Sequence, residues 1–183
     1  MDHTGPWTVA DVLALPEDRT VRYELLGESL VMSPAPGVRH QRASFRLHVA
    51  LDAAGRAAGA PVEVLEGVNV VLPSGLVVPD LVVADAGATA DDPVTVDIEA
   101  VQLVVELVSP GNSTMDRKVK PMLYAEAAIP HFWRLEFDPA PMLVTYELQG
   151  GRYVQRATAL AGATTHLDTP FPLAIDPAGL ARQ

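Results

Sequence analysis

A chain of 183 residues with nearly half its side chains apolar is long enough to bury a core and suits one domain. The absence of cysteine excludes a disulfide framework and a thiolate metal site, and no apolar stretch nears the ~20 residues that span a bilayer. Acidic residues outnumber basic ones 23 to 13 for a net charge of -10, so a nucleic-acid partner requires a local basic patch or cations that offset the carboxylates.

The opening residues lack the basic start and apolar stretch of a secretion signal, and the expected location is cytoplasmic, away from membranes. Thr8 is placed to cap a short helix from Val9, with Asp11 at its third position and Pro16 ending it; Trp7 and Val12 sit where a hydrophobic staple sits. Two strand-like runs around Gly27-Glu28 predict a hairpin that ends at Pro34 and Pro36. Residues 38 to 58 are mostly good helix formers without proline, closed by Gly59 and Pro61. Arg39, Arg42 and Arg46 share one face of this helix by their spacing, while Phe45, Val49 and the alanines are expected on its buried side.

The period then changes. Residues 62 to 72 read as a strand, Pro73-Ser-Gly75 as a turn, and residues 76 to 84 as a second strand with Pro79-Asp80 inside it. A polar loop over residues 87 to 93 precedes a third strand, residues 101 to 108, apolar on both faces except at Gln102 and Glu106 and therefore expected to be central. After a loop over residues 109 to 114 come a helix over 116 to 127, a strand over 131 to 137, and a second hairpin turning at Gly150-Gly151. The tail, rich in Ala, Pro and Gly, reads as peripheral. The order predicts an α/β (α+β) fold, a mixed sheet flanked by helices.

Two carboxylates stand out. Asp80 lies within Val77-Val-Pro-Asp-Leu-Val-Val83, and Glu106 within Leu103-Val-Val-Glu-Leu-Val108. Ionised groups in apolar strands need something to offset several kcal/mol of desolvation. A divalent cation does so, and magnesium prefers a few carboxylate oxygens plus water and phosphate. The plainer alternative is that either carboxylate sits at a strand end, exposed or paired with an arginine.

Pro79-Asp80 followed by Glu106-Leu-Val108 on a later strand is similar to the PD-(D/E)xK nuclease pattern. The flanking phrases narrow the likeness. Tyr23-Glu-Leu-Leu-Gly-Glu-Ser-Leu-Val-Met-Ser-Pro34, His40-Gln41, Val105-Glu-Leu-Val-Ser-Pro110, Asp116-Arg-Lys-Val-Lys120, Leu123-Tyr-Ala-Glu-Ala127 and Ile129-Pro-His-Phe-Trp133 together resemble the Uma-two family of restriction-endonuclease-like proteins. The resemblance covers roughly residues 8 to 160. It implies a single restriction-endonuclease-like domain over residues 1–183, with an added N-terminal hairpin.

The resemblance also implies roles. The superfamily places a lysine two residues after the glutamate, where this chain has Val108. The matching lysine of the resembling family lies on the next helix, at Lys120, from which a long ammonium side chain can reach the acids. Asp80 and Glu106 would hold magnesium or manganese, with the Leu107 carbonyl as a further ligand, for hydrolysis of DNA phosphodiesters. Lys120 would orient the attacking water or offset charge on the phosphate; its plainer reading is a solvated lysine.

Glu24 could complete the acidic cluster or sit on the hairpin surface. His40 and Gln41 could meet substrate or cap their helix, and Arg39, Arg42 and Arg46 could face phosphates or solvent. Tyr124 and Trp133 read as core aromatics. A homodimer would suit cleavage of both DNA strands. Two other functions fit the same sequence: a non-catalytic module of nuclease fold that binds nucleic acid or protein, and a metal-dependent hydrolase of a small phosphorylated molecule.

Overall fold

The computed structural model describes residues 4–16, 18, 20–109, 111 and 113–182; Pro110, the end of the phrase begun at Val105, lies outside the described residues. Thr8 caps helix α1 (Val9–Leu13) through a reciprocal box, its hydroxyl oxygen accepting the Asp11 N–H while the Asp11 carboxylate accepts the Thr8 N–H. Trp7 and Val12 pack in one small cluster with Leu25 and Leu76. Strands β1 (Val21–Leu26) and β2 (Ser29–Pro34) form the expected hairpin, with Gly27 at φ +63° in its two-residue turn. Helix α2 (Val38–Ala57) follows and stops where Gly59 takes φ +64°.

The apolar runs after α2 are more divided than their composition suggests. Residues 62 to 72 give β3 (Val62–Glu66) and β4 (Asn69–Leu72), parted by Gly67 at φ +59°. Residues 75 to 85 give β5 (Gly75–Val77) and β6 (Leu81–Asp85), so Pro79-Asp80 lies between two strands rather than inside one. Proline has no N–H to add to a ladder, and here the chain leaves one sheet for the other. The expected polar loop contains α3 (Ala86–Thr89), capped by Asp85. Next come β7 (Thr95–Asp97) and β8 (Val101–Leu107). A π-helical turn (Met115–Val119) runs into α4 (Lys120–Glu126). Strand β9 (His131–Glu136) and the hairpin of β10 (Met142–Gln149) and β11 (Arg152–Leu160) complete the main sheet. Strands β12 (Thr165–Leu167) and β13 (Leu173–Ile175) and helix α5 (Pro177–Ala181) form the tail.

One sheet has the order β11-β10-β9-β8-β6-β3 and a second β2-β1-β5-β4-β7, while β12 pairs with β13. Strand β8 is central as expected, antiparallel to β6 and parallel to β9. Its alternate residues serve two cores. Leu103, Val105 and Leu107 pack with Ala43, Leu47 and Leu51 of α2. Val104 packs with Tyr124, Phe132 and, from the second sheet, Val70 and Val77. The period of two puts Glu106 on the Val104 face, toward α4 and the second sheet. The result is a mixed α/β fold with helices flanking the sheets.

Two further expectations are corrected. Helix α2 buries Ala43, Ser44, Leu47, Leu51 and Gly55, whereas Phe45 is 62% exposed and Val49 48% exposed. Small residues let the helix lie close to the sheet, and a Cβ at Gly55 would stand 3.2 Å from Val62. The tail is not peripheral: Leu167, Phe171, Leu173, Ile175 and Leu180 are buried in the same core as α2. They supply apolar cover that α2, with its narrow small-residue face, does not provide alone.

Candidate active site

Strand alternation and the sheet crossover bring acids from separate elements together. Glu24 on β1 turns inward, Asp80 sits at the crossover, Glu106 lies on β8, and Asp116 comes from the π-helical turn; each is at most 5% exposed. They line one pocket of about 270 Å³ with Lys120, Arg22 and His40. Lys120 Nζ lies 2.9 Å from Glu24 Oε1 and 3.1 Å from Glu106 Oε1. The lysine thus reaches the acids from the start of α4. Asp80 accepts from Arg22 at 2.6 Å and from the Leu107 N–H at 2.8 Å, and its Oδ2 is 3.0 Å from His40 Nε2. Glu24 also accepts the Val78 N–H at 2.9 Å, which ties β1 to the crossover. The Tyr124 hydroxyl donates to Glu106.

These surroundings push the acids apart in proton affinity. Burial raises Asp80, but His40 and Arg22 outweigh it and hold the carboxyl below its ordinary value. Burial raises Glu106 to about 8; Lys120 opposes this, while Asp80, Asp116 and Glu24 add to it. Burial also raises Asp116 to about 6, although Lys120 and the Ser109 N–H pull the other way. Burial favours a neutral Lys120, yet Glu106 and Glu24 outweigh it and keep the ammonium charged. Glu106 therefore binds its proton more tightly than Asp80 does, and Lys120 stands within pairing distance of both Glu24 and Glu106.

The other residues singled out in the sequence lie elsewhere or have protein partners. Gln41 Nε2 donates to the Pro36 carbonyl at 2.8 Å. Arg39 donates to the Phe137 carbonyl at 2.9 Å and lies over the Phe137 ring at 4.7 Å. Arg46 donates to the carbonyls of Gly179 and Arg182 at 3.0 and 2.7 Å, holding the end of α5. Arg42 is half-buried and outside the pocket lining. Trp133 is fully buried, as its reading as core predicts, whereas Tyr124 is buried and also touches the site. Arg22 and Asp116 were not singled out. Arg22 stands two residues before Glu24 on a strand, hence on the same face, and Asp116 stands four before Lys120 along a helix.

A family model, Uma2, described as "Putative restriction endonuclease", matches residues 9–179. The chain belongs to the Uma2 family. The match runs past the hairpin of β10 and β11 into the tail, which the buried Phe171 and Leu173 of this Uma2 protein make intelligible. A crystal structure titled as that of a "putative nuclease belonging to DUF820" from Anabaena variabilis is similar, with a TM-score of 0.76 over 96% of this chain and 97% of that one at 16% identity. That likeness shows that the Uma2 chain has the fold of that protein. No curated protein matches the sequence.

Proposed function

We propose that this pocket hydrolyses DNA phosphodiester bonds with magnesium or manganese held by Asp80 and Glu106. The observation that carries the reading is the convergence of the buried Glu24, Asp80, Glu106 and Lys120 side chains on one pocket. It treats Pro79-Asp80, Glu106 and Lys120 as a PD-(D/E)xK set whose lysine has moved from the strand to α4.

The donor set fits such a cation. Burial and the neighbouring acids raise the proton affinity of Glu106 against the pull of Lys120, and a divalent ion can take a proton's place there. Among the described residues no three His, Asp or Glu side chains converge as a cage. Magnesium binds through one or two carboxylates and keeps water and substrate oxygens, so the reading asks only for Asp80 and Glu106, with the Leu107 carbonyl as a further donor. When bound, the cation supplies a lowered water pKa and charge offset at the phosphate.

The chain's own residues do the rest. Arg22, His40 and the Leu107 N–H fix the Asp80 carboxylate. The Tyr124 hydroxyl fixes Glu106 by donating to its carboxyl oxygen. Lys120 presents a fixed positive charge to the phosphate and the attacking water. Burial of the acids limits bulk water around them.

The test compares wild type with an Asp80→Ala, Glu106→Ala double variant on plasmid and short DNA, with magnesium, manganese or EDTA. Cleavage is expected only in wild type with metal. Equal cleavage by the double variant would remove the reading. The net charge of -10 favours one other function, hydrolysis of a small phosphorylated molecule. It predicts metal-dependent turnover of small phosphate esters with DNA left intact.

A further inference from the structure

The chain contains four Phe, four Tyr and two Trp, and nine of these ten rings are buried or half-buried. Phe45 is the exception at 62% exposed. It lies in a depression of about 370 Å³ beside the acidic pocket, and Arg22, Pro36, His40 and Asp80 border both. A strand that delivers a phosphate to the acids across His40 therefore passes Phe45. Gln41 stands one turn before Phe45 on α2 and borders the same depression.

A protein of net charge -10 repels a polyanion overall, so terms that do not depend on net charge carry added weight in its affinity. Stacking of a base on an aromatic ring is such a term. A duplex offers only bases already stacked and paired, and extracting one costs energy. A single strand offers them open and carries a lower charge density, with a weaker salt dependence.

We infer that Phe45 is the stacking platform for an unpaired base of the DNA strand whose phosphate enters the acidic pocket. The inference rests on the proposed hydrolysis of DNA and narrows it to single-stranded or frayed substrate. Arg22 and His40, between ring and acids, lie where the backbone joining that base to the reacting phosphate must run.

The test uses a short single-stranded DNA and its duplex with Glu106→Gln protein, so that the strand stays uncut. In that background Phe45→Ala is expected to weaken single-strand binding roughly 5- to 150-fold. Phe45→Trp keeps the affinity, and its indole emission falls on adding single strand but not duplex. Unchanged affinity in Phe45→Ala, or tighter binding of the duplex, overturns the inference. So does a shift from dimer to monomer in Phe45→Ala with DNA affinity intact, because Phe45 would then be a subunit contact alongside the exposed Val38 and Val49. Quenching by single strand with no cleavage by wild type removes the hydrolase and leaves the platform. Cleavage whose KM ignores Phe45→Ala removes the platform and leaves the hydrolase.

Discussion

Glu106 holds a proton in the folded chain to about pH 8, against an ordinary value of 4.5. A carboxyl raised in this way stabilises the fold fully below its unfolded value and loses that contribution as pH rises through the folded one. Asp116, raised to about 6, acts in the same sense over a lower range. Asp80 is lowered and acts oppositely, at acid pH. Thermal melts in EDTA are therefore expected to show Tm falling as pH rises from about 5 to about 8. Glu106→Gln should flatten most of that slope, and magnesium should raise the wild-type Tm more near the top of the range than near the bottom, because cation and proton compete. A slope unchanged in Glu106→Gln would place the titrating group elsewhere. Asp80 and Glu106 were legible in the sequence because ionisable side chains interrupt apolar runs. Lys120 was legible only through its phrase, and Arg22 and Asp116 had no apolar frame to set them off.

Among the elements, the π-helical turn decides how α4 meets the site. Its wide turn closes through the Lys120 N–H on the Met115 carbonyl, and Pro121 follows with no N–H of its own. Asp116 faces the pocket while Arg117 grips Glu136 on β9 at 3.0 and 2.6 Å. Arg117→Ala should loosen this turn, giving faster amide exchange over residues 115–120. Gly75 has less latitude. Its φ is +146°, and a Cβ there would stand 2.0 Å from the Leu25 carbonyl oxygen, beside Glu24. Gly75→Ala should cost at least about 2 kcal/mol in denaturant titrations, since either β1 or β5 must move. Both hairpins and α2 were visible in the sequence because glycines at positive φ and a clean helical run mark them locally. The split of residues 75 to 85 was not, because sheet membership depends on partners far along the chain. The outward stripe of Phe45 and Val49 was missed because the helix packs through small residues, whose weak hydrophobicity hides the true inner face.

At the scale of the whole molecule, the tail closes the core. Phe171 is 4% exposed and lies against Gly55 of α2. Phe171→Ala is expected to cost about 3–5 kcal/mol in chemical denaturation; a loss under about 0.5 kcal/mol would return the tail to the periphery. Composition misled here: Ala, Pro and Gly suggest a loose end, but the few large residues among them are the ones that pack.

The pocket at the crossover draws on β1, β8 and α4, elements that leave the ribosome at well-separated moments. Glu24 emerges first, Asp80 and Glu106 later, and Lys120 after them, with Phe171 and Leu180 still to come. A translation product that terminates before α4 has carboxylates without their ammonium partner. On the proposed function, such an abortive chain is inert, and a cell that makes this protein meets the activity only once synthesis has passed the last catalytic side chain.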